Sequence, residues 1–174
     1  MPLILTVNLI DAVGEEPGWR GFALPRLQQQ YGPFRGSVIL GLLHSLWHLP
    51  GFFVIGWLGP FTPSGFVIFV LVGFATSIIW TWIVNNAKGS ILIAILLHSA
   101  SNANTALILK LLPVSSPAVF QEGTLLIYGA YVVCALVVII FTKGRSSYKA
   151  SNVEQKIGAA QAAVAANTGG DQAF

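Results

Sequence analysis

The sequence predicts an all-α fold, a polytopic bundle of transmembrane helices, and two observations carry that prediction. Of the 174 residues, 55% are hydrophobic and only 9% are charged, where a soluble domain carries about 25% charged residues. So little charge cannot cover a water-soluble surface. The apolar residues also fall in blocks of about 20, the length at which a helix crosses the roughly 30 Å hydrocarbon core.

The elements follow in order. Leu3 to Arg20 reads as a helix of apolar residues ending in Glu15, Glu16 and Arg20, too short and too charged to cross alone, so it must lean on other helices. Four strong spans come next: Gly36 to Leu58, Gly65 to Val84, Ser90 to Leu112, and Thr124 to Phe141. Their connections hold the expected breakers, among them Gly59, Pro60 and Pro63, then Asn85, Asn86 and Gly89, then Pro113 and Pro117. Residues 1–142 form the membrane core. Residues 143–174, rich in Ala, Ser, Gly and Gln with no large apolar face, read as a flexible cytoplasmic tail. The apolar run Leu3 to Val13 lacks a basic flank and meets an acidic pair, so it does not read as a cleaved signal peptide.

Charge placement sets the orientation. The net charge is +3, but the basic residues lie between apolar segments and in the tail, a pattern suited to topology and anionic lipid and not to nucleic acid. Arg20, Arg26 and Arg35 precede the first strong span, Lys88 separates the second from the third, and Lys143, Arg145, Lys149 and Lys156 follow the fourth. The alternate loops, Gly59 to Ser64 and Pro113 to Gly123, hold no Lys or Arg. Lys110 is the exception, near the opposite end of its helix, where it can snorkel. Positive charge therefore places the chain in the cell membrane with its tail in the cytoplasm. Cys134 is the only cysteine and can form no internal disulfide.

Ionisable side chains inside apolar helices cost roughly 2.5 to 3.5 kcal/mol each at mid-span and call for a partner or a function. All three histidines lie in spans. His44 and His48 share one helix face, and His98 and Asn102 repeat the same i,i+4 spacing. At 1.5 Å per residue His48 lies roughly 18 Å, and His98 roughly 12 Å, from the cytoplasmic ends of their spans. Glu15 is about one turn from its own end, so one cavity in the cytoplasmic half can hold all of them if the first helix dips inward. A carboxylate and an imidazole there can take a proton from water and pass it to a leaving amine, while imidazole and amide donors stabilise an oxyanion. The same groups could instead bind a metal such as zinc that activates water.

The run Glu15-Glu16-Pro17-Gly18-Trp19-Arg20 resembles the EExxxR motif of the CPBP family, the type II CAAX prenyl endopeptidases and bacteriocin-processing proteins also called Abi. Trp47-His48-Leu49-Pro50 is similar to its second motif and His98-Ser99-Ala100-Ser101-Asn102 to its HxxxN motif. The resemblance covers Asp11 to about Leu112. It implies a bundle of transmembrane helices around a catalytic cavity and an intramembrane endopeptidase acting on a prenylated protein tail or a peptide precursor. By that resemblance Glu15 and His48 activate water, His98 and Asn102 form the oxyanion site, and Glu16 and Arg20 support them. Glu15, His48 and His98 would be the ligands of any metal. His44 stands where the second motif usually has an aromatic residue and is supporting. The family also carries helices ahead of EExxxR, for which Met1 to Gly14 is too short, so the resemblance implies an N-terminally shortened core that either works weakly alone or borrows helices from a partner or a second copy.

Plainer roles exist for each residue. Glu16 and Arg20 are at the spacing of a structural ion pair, and Ser101 and Asn102 can act as interhelical hydrogen-bond glue. The His44/His48 pair has the spacing of HExxH, but Ser45 stands where that motif needs Glu. The five tryptophans read as core or interface anchors. A non-catalytic immunity or partner-binding protein of the same fold is the main rival reading, and a proton-coupled transporter the third, although no repeated halves are visible.

The topology can be tested directly. Single cysteines at Ser64 and Ser147, in a Cys134→Ser background, are expected to label from opposite sides of the membrane; labelling from one side would overturn the assignment.

Overall fold

The structure is a computed structural model that describes the backbone of residues 2–54, 58, 60–111 and 117–148 and, within them, the side chains of all but 2–5, 104–111 and 117–122. The elements are α1 (Pro2–Glu16), a π-helical segment (Pro17–Ala23), α2 (Leu24–Tyr31), α3 (Pro33–Trp47), a short 3-10 turn (Leu49–Phe53), α4 (Pro63–Asn86), α5 (Ile91–Leu111) and α6 (Pro117–Thr142). No strand occurs among the described residues. Trp57, the side chain of Lys110, and tail residues 149–174 lie outside them, as do parts of the Gly59 to Ser64 and Pro113 to Gly123 connections.

Among the described residues, three helical stretches are long and apolar enough to cross a membrane: Pro33–Phe53, Pro63–Asn86 and Gly123–Thr142. The described apolar part of α5 is Ile91–Ala103. The distribution of side chains is that of a protein solvated by lipid. Phe141 is 84% exposed and Leu126 76%, while Glu16, Ser37 and Thr81 are fully buried. Water would reverse that order, whereas in a bilayer apolar groups face the tails and polar groups turn inward. The chain is a membrane protein.

Helix boundaries follow from local chemistry and differ in places from the sequence pattern. The first strong span does not run as one helix to Leu58; α3 gives way at His48 to the 3-10 turn, because Pro50 has no N–H to donate and clashes with the preceding turn. The N-terminal helix, expected to stop near Arg20, continues through the π-helical segment into α2. Pro17 and Pro25 bracket that segment and withhold two N–H donors, and within it the Leu24 N–H reaches back five residues to the Trp19 carbonyl. Such wide turns recur at functional sites. Gly32, at φ 78°, then turns the chain, and Pro33 opens α3. Thr62 caps α4 by accepting the Gly65 N–H at 3.1 Å. The fourth span begins earlier than expected, at Pro117, a residue suited to the first helical position.

Small residues set the packing. Alpha2 and α3 form a tight hairpin in which a Cβ on Gly36 would meet the Leu27 and Gln28 backbone at 2.9 Å. Alpha3 lies on α4 just as closely, since a Cβ on Gly41 would meet the Gly73 carbonyl at 2.8 Å. Ser77 Oγ donates to the Ser37 carbonyl across the same contact at 2.7 Å. Close backbone approach of this kind gains dispersion contact where lipid offers no hydrophobic drive. Ala75 and Ile78 of α4 meet Ala135 and Val138 of α6 in a small apolar core. Alpha1 packs on α5. At the end of α6 the first tail residues fold back: Ser146 is buried, and its carbonyl accepts Asn85 Nδ2 at 2.9 Å.

Gly41→Val should therefore lower stability by about 1 to 3 kcal/mol, the usual cost of overpacking. Gly129→Ala, on α6 with nothing nearby, should be neutral or stabilising by up to about 1 kcal/mol from helix propensity. Thermal and SDS unfolding of the two variants checks this, and equal losses would sink the close-contact account.

Candidate active site

Consecutive residues of a helix point about 100° apart, so Glu15 and Glu16, at the end of α1, address different neighbours. Glu16 turns inward. Its Oε1 accepts Arg20 Nη1 at 2.8 Å and His98 Nδ1 at 2.8 Å. Glu16 and Arg20 are buried, as is His98, and the Arg20 guanidinium lies 4.8 Å from the centre of the Trp80 ring. Trp80 also stands 5.4 Å from the His98 ring. Charges removed from lipid and water in this way hold only when paired. Even so, Glu16 Oε2 and Arg20 Nε have no hydrogen-bond partner among the described residues.

Glu15 turns toward α3, where its Oε2 accepts His44 Nε2 at 3.0 Å. Both side chains remain partly accessible, at 17% and 16%. One turn on, His48 Nδ1 lies 2.9 Å from the His44 carbonyl. A carbonyl only accepts, so Nδ1 carries the proton and a neutral His48 keeps a bare lone pair on Nε2. The His44 and His48 rings are 4.8 Å apart, and the His44 and His98 rings 6.0 Å. Donor atoms of Glu15, His44 and His48 all lie within 4.8 Å of one another.

Alpha1, α3 and α5 thus bring Glu15, Glu16, His44, His48 and His98 together, with Arg20 entering from the π-helical segment. Asn102, one turn beyond His98 on α5, is exposed and lies outside this hydrogen-bonded group. Neighbouring Ser101 Oγ instead meets Tyr131 OH at 3.1 Å, a bond between α5 and α6. The donor set that can share an ion contains His44; His98 is held by Glu16.

Several residues enter the site that spacing did not single out. Trp19 lies 5.0 Å from the His44 ring, Phe69 lies 5.7 Å from the His48 ring, and Trp80 lies against both Arg20 and His98. Trp19 lies inside the EExxxR run, which is a sequence signal of a kind. Phe69 and Trp80 sit in α4, where every turn is apolar, and nothing local distinguishes them.

Comparison with known proteins agrees with the geometry. Residues 1–104, which contain every residue named above as candidate catalyst or support, match the family model described as type II CAAX prenyl endopeptidase Rce1-like. The curated protein "CAAX prenyl protease 2" of Methanococcus maripaludis is 30% identical over 151 residues, covering 80% of this chain and 50% of the relative. The chain thus spans about half the length of the curated relative it matches. No solved structure matches. Motif order, helical architecture and both comparisons agree: this chain belongs to the Rce1-like type II CAAX prenyl endopeptidase family.

Proposed function

We propose that the protein is a multi-pass intramembrane endopeptidase of the CAAX type, cleaving a peptide bond in the prenylated tail of a membrane-associated protein. The observation that carries this reading is the partly accessible Glu15 carboxylate beside the bare Nε2 of His48, with a second, buried acid holding His98 close by. Water placed between Glu15 and His48 gives a proton to the carboxylate as its oxygen attacks the scissile carbonyl carbon. The carbonyl oxygen takes up negative charge. His98, held by Glu16 through Nδ1, turns its other ring nitrogen to that charge. Asn102, one turn away, supplies an amide donor. When the tetrahedral species collapses, the C–N bond breaks and Glu15 returns its proton to the leaving amine.

Two pairs of roles separate cleanly in this scheme. Glu15 and His48 act at the partly accessible edge, where loss of a group harms chemistry before structure. Glu16 and Arg20 act in the buried interior, where loss of either partner strands a charge. The alternation of connections with and without Lys or Arg supports a cytoplasmic tail, and with it an active site reached from the cytoplasmic side.

Purified protein in lipid, offered a membrane-tethered prenylated peptide, should cleave it. Glu15→Gln and His48→Ala should lose most turnover. Asn102→Ala and His98→Ala should each lose about 100-fold or more, the usual effect of removing an oxyanion donor. Turnover by Glu15→Gln equal to that of the parent would remove the base from the scheme. Glu16→Gln and Arg20→Ala should behave differently, losing about 3 to 5 kcal/mol of stability because each leaves a buried charge unpaired. Unfolding midpoints unchanged in both would show that the pair does not brace the fold.

A further inference from the structure

His48 stands where α3 gives way to the 3-10 turn. A side chain in mid-helix is braced by turns on both sides of it, but the turn after His48 is not α-helical, because Pro50 has no N–H to donate. Few backbone bonds hold the chain past this point. The Gly51 N–H reaches the His48 carbonyl at 2.9 Å, and the Val54 and Leu58 N–H groups reach the Gly51 carbonyl at 3.4 Å. The imidazole itself is pinned at one edge, where Nδ1–H meets the His44 carbonyl at 2.9 Å. A ring held at one edge rocks about that edge, and Nε2 lies on the other.

We propose that Phe69 of α4 positions the His48 ring, and that Phe52 and Phe66 hold Phe69 in place. The inference rests on the role of His48 in the hydrolytic reading and extends it to a helix that the reading does not use.

Three rings meet His48. His44 and Trp47, at 4.8 Å and 5.0 Å between ring centres, belong to α3 and move with it. Phe69, at 5.7 Å and 59° between ring planes, comes from α4 and ties the imidazole to a second helix. Phe69 is braced in turn. Phe52, in the 3-10 turn, lies 5.3 Å from Phe69 and 5.7 Å from Phe66, at 87° and 88° between planes. Edge-to-face pairs of this kind are the arrangement that the ring quadrupole favours. Phe66, one turn before Phe69, lies 6.4 Å from it and nearly parallel, at 19°.

The contacts thus run from His48 across to Phe69 and back to Phe52, four residues after His48, and so close around the point where the helix stops. An aliphatic side chain fills similar space without a preferred angle, whereas a ring held by other rings keeps its orientation and passes it on. Phe69 also has no hydrogen-bonding group. Nothing on that side competes with the His44 carbonyl for the imidazole proton, and Nε2 stays bare, as water activation requires. Placement matters here, since an error on the order of 1 Å can cost roughly 100-fold in rate.

The test uses the full chain in lipid nanodiscs and has two readouts. With the membrane-tethered prenylated peptide, Phe69→Leu should lower kcat by about 10- to 100-fold, with KM unchanged, the pattern of an interaction realised only in the transition state. Phe69→Tyr, which keeps the ring, should stay near the parent. Phe52→Leu, which leaves Phe69 present, should give a smaller loss of the same kind, and Phe53→Leu, whose exposed ring stacks on Phe61 at 5.2 Å, should give none. The second readout needs no substrate. The chain has three histidines, so ring 15N labelling resolves them, and His48→Gln identifies the His48 signals by their loss. The parent should show His48 with a protonated Nδ1 and a bare Nε2, and Phe69→Leu and Phe52→Leu should convert this to a mixture of tautomers while the His98 signals stay as they are. Unchanged His48 signals in both leucine variants, a raised KM at constant kcat in Phe69→Leu, or a loss in Phe69→Tyr equal to that in Phe69→Leu would each overturn the proposal. A parent that cleaves nothing but shows the tautomer change keeps the positioning role and loses the hydrolytic reading; one that cleaves while both leucine variants leave His48 unchanged does the reverse.

Discussion

Glu16 is the constraint on which the rest of the site depends. A carboxylate with no exposed surface in an apolar protein must be neutralised where it stands, and it is, by Arg20 from the next turn and by His98 from α5. That pairing ties the end of α1 to the middle of α5 and fixes the rotation of α1 about its axis. Once Glu16 faces α5, Glu15 has to face α3, because one residue of helix turns the side chain by about 100°. The accessible acid is therefore aimed at His44 by the buried one.

The other wall of the site is held by close backbone contact. Gly41 and Gly73 let α3 and α4 approach nearly to contact of their main chains, and Ser77 bonds across to the Ser37 carbonyl. His44 is three residues beyond Gly41, so the spacing that admits this contact also decides how far the imidazole stands from α1. Pro50 ends the helix just past His48. The second histidine thus sits at the last turn of α3, where its ring bonds the His44 carbonyl. Close packing on one side and a helix end on the other frame the site.

Two neighbouring acids with different surroundings permit two different tasks. Glu16, fully enclosed and shared between two cations or donors, has no freedom to exchange protons with a substrate. Glu15, partly accessible and bonded to a single imidazole, has that freedom. In the proposed reaction this difference makes Glu15 the base and Glu16 the brace.

Much of this was legible in the order of residues. Low charge and long apolar blocks determine a helical membrane protein, since no other arrangement solvates such a chain, and the expensive polar residues Glu15, Glu16, Arg20, His44, His48 and His98 stand out because hydrocarbon penalises them. The spacing of Glu16 and Arg20 also announces their ion pair, which depends only on the geometry of one helix. Which histidine meets which acid was not legible, because that depends on how α1 rotates between α3 and α5, and rotation is decided by long-range packing. For the same reason sequence alone could not distinguish Trp80 from other apolar residues of α4, extend the N-terminal helix through its π-helical turn, or leave Asn102 outside the hydrogen-bonded group. Spacing along one helix determines which side chains share a face; only the tertiary structure decides what that face meets.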